Sequence, residues 1–215
     1  MDKVIRISVH SSGWGLGTVA SVLLWYRKYR RSISNVTLRF TVLVSLFATA
    51  SLAQQVRPTE TQVKAAYLYN FGRFVEWQSD HGPNADSFAL CVLGEDPFGP
   101  VLDATVGGES INLRKITVKR ISKLPEAAGC NILYVSTSEA GRLVAIIEAA
   151  HHSGTLTVSD IPHFVDRGGI IDFVKQQDRI RFEVNRAAAQ DSHLTLSSEL
   201  LKVAYRVVNK DPAEK

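Results

Sequence analysis

The chain has 215 residues, 45% of them apolar, and a formal net charge of +4, a composition that suits one ordinary globular core and excludes a fibrous repeat or a wholly disordered chain. The charge is concentrated at the front, where Lys3, Arg6, Arg27, Lys28, Arg30, Arg31 and Arg39 face only Asp2, so the part after residue 53 carries about −2. Without a basic surplus to neutralise phosphates, nucleic acid is not an expected partner.

Phe40 to Ala53 (FTVLVSLFATASLA) follows basic residues, is short for a bilayer span, and ends in small residues. It reads as a secretory signal peptide, with Ser51-Leu52-Ala53 as the cleavage signal and a mature chain from about Gln54. The expected division is therefore a leader over 1–53 and one exported domain over 54–215. Residues 1–35 carry a second apolar patch, Leu16 to Trp25, and read as an over-extended reading frame; initiation at Val36 would leave a compact leader with Arg39 as its positive end. Two cysteines, Cys91 and Cys130, fall in the exported part, where an oxidising compartment favours one disulfide.

Thr59 with Gln62 three residues on forms a capping box, predicting a helix from there to about Trp77 with Val63, Ala66, Tyr67, Asn70, Phe71 and Phe74 on its apolar face. Phe88 to Leu93 is a continuous apolar run that reads as a central strand covered on both faces. Asp96-Pro97 suits a helix start, with a short helix over Phe98 to Val106. Ile116 to Ile121 and Asn131 to Val135 read as strands; if they neighbour the Cys91 strand, the two sulfurs face each other.

A helix from Ser138 to about Ala150, with Leu143, Ile146 and Ile147 inward, leads to a strand over Thr155 to Val158, which implies a parallel crossover. Ile170 to Val174 and Arg179 to Val184 flank Lys175-Gln176-Gln177-Asp178 as a hairpin. A last helix capped by Ser197 or Ser198 is expected to carry Leu200, Leu201, Ala204 and Val208 on one side, with a charged, frayed tail after Asn209. The sum is an α/β fold: a single layered domain, a mixed β-sheet flanked by α-helices.

Motifs for chemistry are sparse. Gly107-Gly108 and Gly168-Gly169 lack phosphate-loop spacing, and His151-His152 diverge on a helix end rather than converging on a metal. Ser136-Thr137-Ser138 lacks the glycines of a nucleophile turn. No cofactor, metal or catalytic residue is expected. The segment from Ser159 to Gly169 instead places polar and aromatic groups after a strand, where ligands of open α/β sheets sit. Asp160, His163, Phe164 and Val165 are its candidate binding residues, with Gly168 and Gly169 shaping the loop. Arg73 and Trp77 at the first helix's end form a second candidate patch.

Ala65-Ala66-Tyr67-Leu68-Tyr69-Asn70-Phe71 with Phe74-Val75-Glu76-Trp77, then Val92 to Gly99 (VLGEDPFG) and Leu156 to Asp160 (LTVSD), stand in a specific order. Gly168-Gly169 with Ile171, Ile180 to Asn185 (IRFEVN) and Leu200-Leu201 complete it. Over residues 60 to 208 the chain resembles the YfiR family. The resemblance implies a periplasmic repressor, not an enzyme, that binds the periplasmic part of an inner-membrane diguanylate cyclase, lowers cyclic-di-GMP and biofilm formation, and is sequestered by an outer-membrane lipoprotein. It also implies a homodimer and matches Cys91 and Cys130 to a family disulfide. A second cysteine pair is missing here, which weighs against a redox switch built on it, and Gln78 stands where the family usually has proline. Two alternatives remain: a small-molecule sensor using the 159–169 loop as its pocket, and a hydrolase using Asp160 and His163.

Overall fold

The computed structural model describes residues 57–77 and 87–209. The leader over 1–53, the start at Val36, the cleavage point near Gln54, Gln78 and the tail after Asn209 lie outside them.

Helix α1 (Glu60–Phe74) opens as the capping box requires: the Thr59 hydroxyl accepts the Gln62 N–H and the Gln62 side chain accepts the Thr59 N–H. It stops before Trp77, because Val75 leaves helical dihedrals and Val75–Trp77 becomes strand β1. That strand pairs antiparallel with β9 (Leu194–Leu196), a partner too distant in sequence to be anticipated. The inward face is also rotated from the expected one: Ala65, Leu68, Phe71 and Gly72 are buried, while Phe74 is 37% exposed.

The main sheet holds β2 (Ser87–Leu93), β3 (Ser110–Ile111), β4 (Arg114–Ile121), β5 (Ile132–Val135), β6 (Leu156–Ser159), β7 (Ile171–Gln176), β8 (Arg179–Asn185) and β10 (Arg206–Val208), in spatial order β10-β8-β7-β6-β5-β2-β4-β3. The run β4-β2-β5-β6-β7 is parallel and β7-β8 antiparallel, so the sheet is mixed. The hairpin turn is narrower than four residues: Gln177 and Asp178, both with positive φ, make it alone.

Because β2 from Phe88 onward and all of β5 are apolar and buried, they must be covered on both faces. Phe88, Leu90, Val92, Ile132 and Tyr134 pack with α1, with α2 (Pro100–Val106) and with the short helices α4 (Arg186–Asp191) and α5 (Ser198–Val203). Ala89, Cys91, Leu93, Leu133 and Val135 pack on the other side with α3 (Leu143–Ser153) and the 3₁₀ segment Leu124–Ala127. Helix α3 enters through a 3₁₀ stretch, Thr137–Arg142, and buries Leu143, Ile146 and Ile147 as expected.

The expected last helix is corrected. It ends at Val203, and Arg206–Val208 forms β10 parallel to β8. Leu200 at helical spacing and the β-branched Val207 and Val208 each follow their own propensity, and a chain turn at Ala204 serves both.

Cys91 on β2 and Cys130, just before β5, are bonded with Cα atoms 5.9 Å apart. Replacing both by alanine is expected to lower the unfolding free energy by about 4 kcal/mol, from the entropy of the loop released in the unfolded chain. Urea unfolding of wild type and double variant would measure it, and coincident midpoints would refute it.

Candidate functional site: the loop between β6 and β7

Strand β6 ends with Ser159, whose hydroxyl donates to the Val135 carbonyl at 2.7 Å and accepts the Ile161 N–H at 3.0 Å. These bonds turn the chain away from the sheet and start the loop. Asp160 follows, with one carboxylate oxygen 2.9 Å from Lys64 of α1, which also pairs with Glu60 at 2.7 Å. Burial acts against the Lys64 ammonium, but the two carboxylates outweigh it and hold its pKa above the usual lysine value. The other Asp160 oxygen is buried with no hydrogen-bond partner among the described residues. Beneath the loop, burial and then the Asp160 charge raise the pKa of the Tyr134 phenol, keeping it protonated.

Phe164 and Val165, expected as binding residues of the loop, are both fully buried, so their side chains face the core and not a partner. Phe164 joins the core on the α3 side with Leu143, Ile146 and Ile147. Gly169 makes this possible, since a Cβ there would overlap the Phe164 ring, while Gly168 takes φ +99°, in the left-handed region. Both glycines therefore shape the loop, one by conformation and one by close approach.

Three strands then pin the loop. Asp172 of β7 accepts the Phe164 N–H at 3.0 Å. Asn185, at the end of β8, donates to the Val165 carbonyl at 3.0 Å and accepts the Ala188 N–H, capping α4. Arg206 of β10 forks onto Asp166 at 2.9 and 3.1 Å and onto Glu183 through Nε, at 2.8 Å, and Nη2. The Arg206 hydrogen bonds hold the Asp166 carboxyl below the ordinary aspartate value. None of Lys64, Asp172, Glu183, Asn185 and Arg206 was expected from sequence. The available signal was a carboxylate inside an otherwise apolar strand, Ile170-Ile171-Asp172-Phe173-Val174.

The loop's exposed residues are Pro162, His163, Asp166 and Arg167; the His163 side chain is 81% exposed and its backbone sits at φ +60°, an uncommon conformation for a residue with a Cβ. Its Nδ1 lies 3.4 Å from Asp166. Asp160 and His163 are thus each engaged elsewhere, Asp160 with Lys64 and His163 with Asp166, rather than as the acid–base pair a hydrolase would use. Arg73 lies at the far end of α1, about 14 Å along the helix from Lys64 at a rise of about 1.5 Å per residue, and Trp77 stands just beyond it on β1. Arg73 is exposed and stands over the Tyr69 ring, and Trp77 packs edge-on against Phe88 at 5.2 Å. The two candidate patches are not brought together.

These features define a layered α/β domain that presents one rigidly braced loop at the ends of its parallel strands. Residues 61–205 match the family model described as YfiR/HmsC-like, and the chain belongs to that family. It is a family of regulatory, non-catalytic periplasmic proteins of cyclic-di-GMP signalling. No curated protein matches the sequence. Among solved structures, a conserved domain protein from Vibrio cholerae is similar with 11% identity and a TM-score of 0.48, over 69% of this chain and 60% of that one. An ABC domain in complex with L-Trp from Streptococcus pneumonia is similar with 12% identity and a TM-score of 0.49, over 67% of this chain and 60% of that one. A ligand-free, open substrate-binding protein with adhesive properties from Clostridium difficile is similar with 14% identity and a TM-score of 0.40, over 58% of this chain and 55% of that one. The chain thus spans about 60% of the length of the first two. Among the described residues no helix is long and apolar enough to cross a membrane.

The packing separates two kinds of loop variant. Phe164→Ala is expected to lower stability by about 3 to 5 kcal/mol and Gly169→Ala by about 1 to 3, whereas His163→Ala stays within about 0.5. Thermal or urea unfolding would check the order, and a His163 effect as large as that of Phe164 would contradict the arrangement.

Proposed function

We propose that this chain is exported by cleavage of residues 1–53 and that its domain, from residue 54 onward, is a periplasmic repressor that binds the periplasmic part of an inner-membrane diguanylate cyclase. Membership of the YfiR/HmsC-like family over residues 61–205 carries this reading. A working homodimer and an outer-membrane lipoprotein that sequesters the repressor belong to the same reading. The disulfide has a structural role in it, holding β2 to the segment before β5.

Repression is a population shift: the repressor must bind the inactive cyclase more tightly than the active one, and only that difference acts. The contact surface is the outer side of the 160–167 loop, with His163 as the exposed centre and Asp160 at its base. Phe164 and Val165 act as anchors beneath it, and Arg73 with Trp77 supplies a second patch. A braced loop suits this role because little ordering entropy is left to lose on binding. Cellular cyclic-di-GMP is expected to rise when the gene is deleted and to fall again on restoration. His163→Glu is expected to weaken repression about tenfold in the amount of repressor required, a loss of the size a central contact residue gives. A deletion that leaves cyclic-di-GMP unchanged removes the repressor reading.

One observation supports a second reading, a small-molecule sensor. A concavity of about 320 Å³ lies at the opposite end of the strands from the loop, lined by Leu124, Pro125, Ala127, Leu133, Ala150 and Thr155. Its volume reaches the lower range of ligand sites. The Thr155 hydroxyl is already committed to the Cys130 carbonyl at 3.0 Å, so an occupant would be mainly apolar. In a thermal-shift screen of amino acids and vitamin-like aromatic compounds, a ligand at a hundred times its Kd should add about 2.7 kcal/mol to apparent stability. Uniformly unchanged melting removes this reading.

A further inference from the structure

We propose that the loop from Asp160 to Gly168 is a proton-controlled element, held against the sheet by the neutral carboxyl of Asp172 and loosened when that group ionises. The loop lies over β7 and takes from Asp172 the acceptor for the Phe164 N–H, the residue whose ring anchors the loop in the core. Asp172 is 2% exposed, and its second oxygen has no partner among the described residues.

The groups around Asp172 oppose a negative charge there. Glu183 on β8 is its direct cross-strand neighbour, and Ser159 on β6 is its neighbour on the other side. Asp160 and Asp166 approach from the loop, with His163 beyond Asp166. The nearby cations are already committed: Arg206 on β10 to Glu183 and Asp166, and Lys64 on α1 to Asp160 and Glu60. Burial is the largest effect; the Phe164 N–H works against it, and the charges of Glu183, Asp160 and Asp166 add to it. Together they push the Asp172 carboxyl up to about 7.

A loop opened to water returns that carboxyl to its ordinary value near 4. The closed form then holds the proton more tightly than the open form between those two values. Closure is at its strongest below about pH 4, weakens as pH rises to about 7, and changes no further above it. The linkage makes opening about tenfold more favourable per pH unit inside that window.

Hydrogen exchange of the Phe164 and Gly169 amides in the purified protein, from pH 5 to 8 and corrected for the intrinsic chemical rate, reads this opening. The wild-type opening constant should rise about tenfold per unit and level off near pH 7, while the β2 amides show no such slope. Asp172→Asn keeps an acceptor for Phe164 but cannot titrate, and its profile should be flat. Glu183→Gln removes the facing charge, so its plateau should begin at lower pH. A flat wild-type profile, or a slope retained in Asp172→Asn, overturns the proposal. Should Asp172→Asn fail to fold, the carbon-13 titration of the Asp172 carboxyl in the wild type decides, with a midpoint below pH 5 counting against it. No partner enters these measurements, so their outcome is separate from that of the repression assay.

Discussion

Two neighbouring strands without a polar side, β2 and β5, impose the main constraint on this fold. Strands of this kind cannot leave either face in water. Helices α1 and α2 must lie across one side, and α3 with the 3₁₀ turn around residue 125 across the other. The disulfide sits within the second of these layers, tying the covering segment to the strand it covers. The positions of the strand ends, and so of the β6–β7 loop, follow from this double covering.

The loop is an example of how a connection gains rigidity without regular structure. Two of its backbone groups and one of its carboxylates find partners on three different strands, through Asp172, Asn185 and Arg206. Its largest apolar side chain is turned inward over a glycine. Such a loop presents a fixed shape, with little ordering left to be lost in a contact. The polar network that fixes it also concentrates four carboxylates, Asp160, Asp166, Asp172 and Glu183, against two committed cations.

Features written in local pattern were legible in the sequence. The Thr59–Gln62 cap, the apolar runs of β2 and β5, the inward face of α3 and the β7–β8 hairpin each depend on residues close together in the chain. The Cys91–Cys130 link was accessible because only two cysteines exist to pair. Features decided by distant partners were not. Val75 to Trp77 leaves α1 to meet Leu194 to Leu196, and Arg206 to Val208 becomes a strand only because β8 offers an edge. In the loop, periodicity carries no information on which side faces in, so the burial of Phe164 was invisible until Gly169 was seen beneath its ring. The bracing groups were hidden for a related reason: Asp172 and Glu183 lie inside strands, where neither shows its loop-facing role in sequence.

Helix α1 touches the braced loop through Lys64 in its first turns and meets Phe88 and the β1–β9 pair near its end. One continuous hydrogen-bonded rod therefore lies between the domain's two candidate patches. Two binding partners seated at its opposite ends would not obstruct one another, so any antagonism between them would have to be transmitted as a tilt or slide of α1. The Lys64–Asp160 ion pair is where such a displacement would first reach the loop.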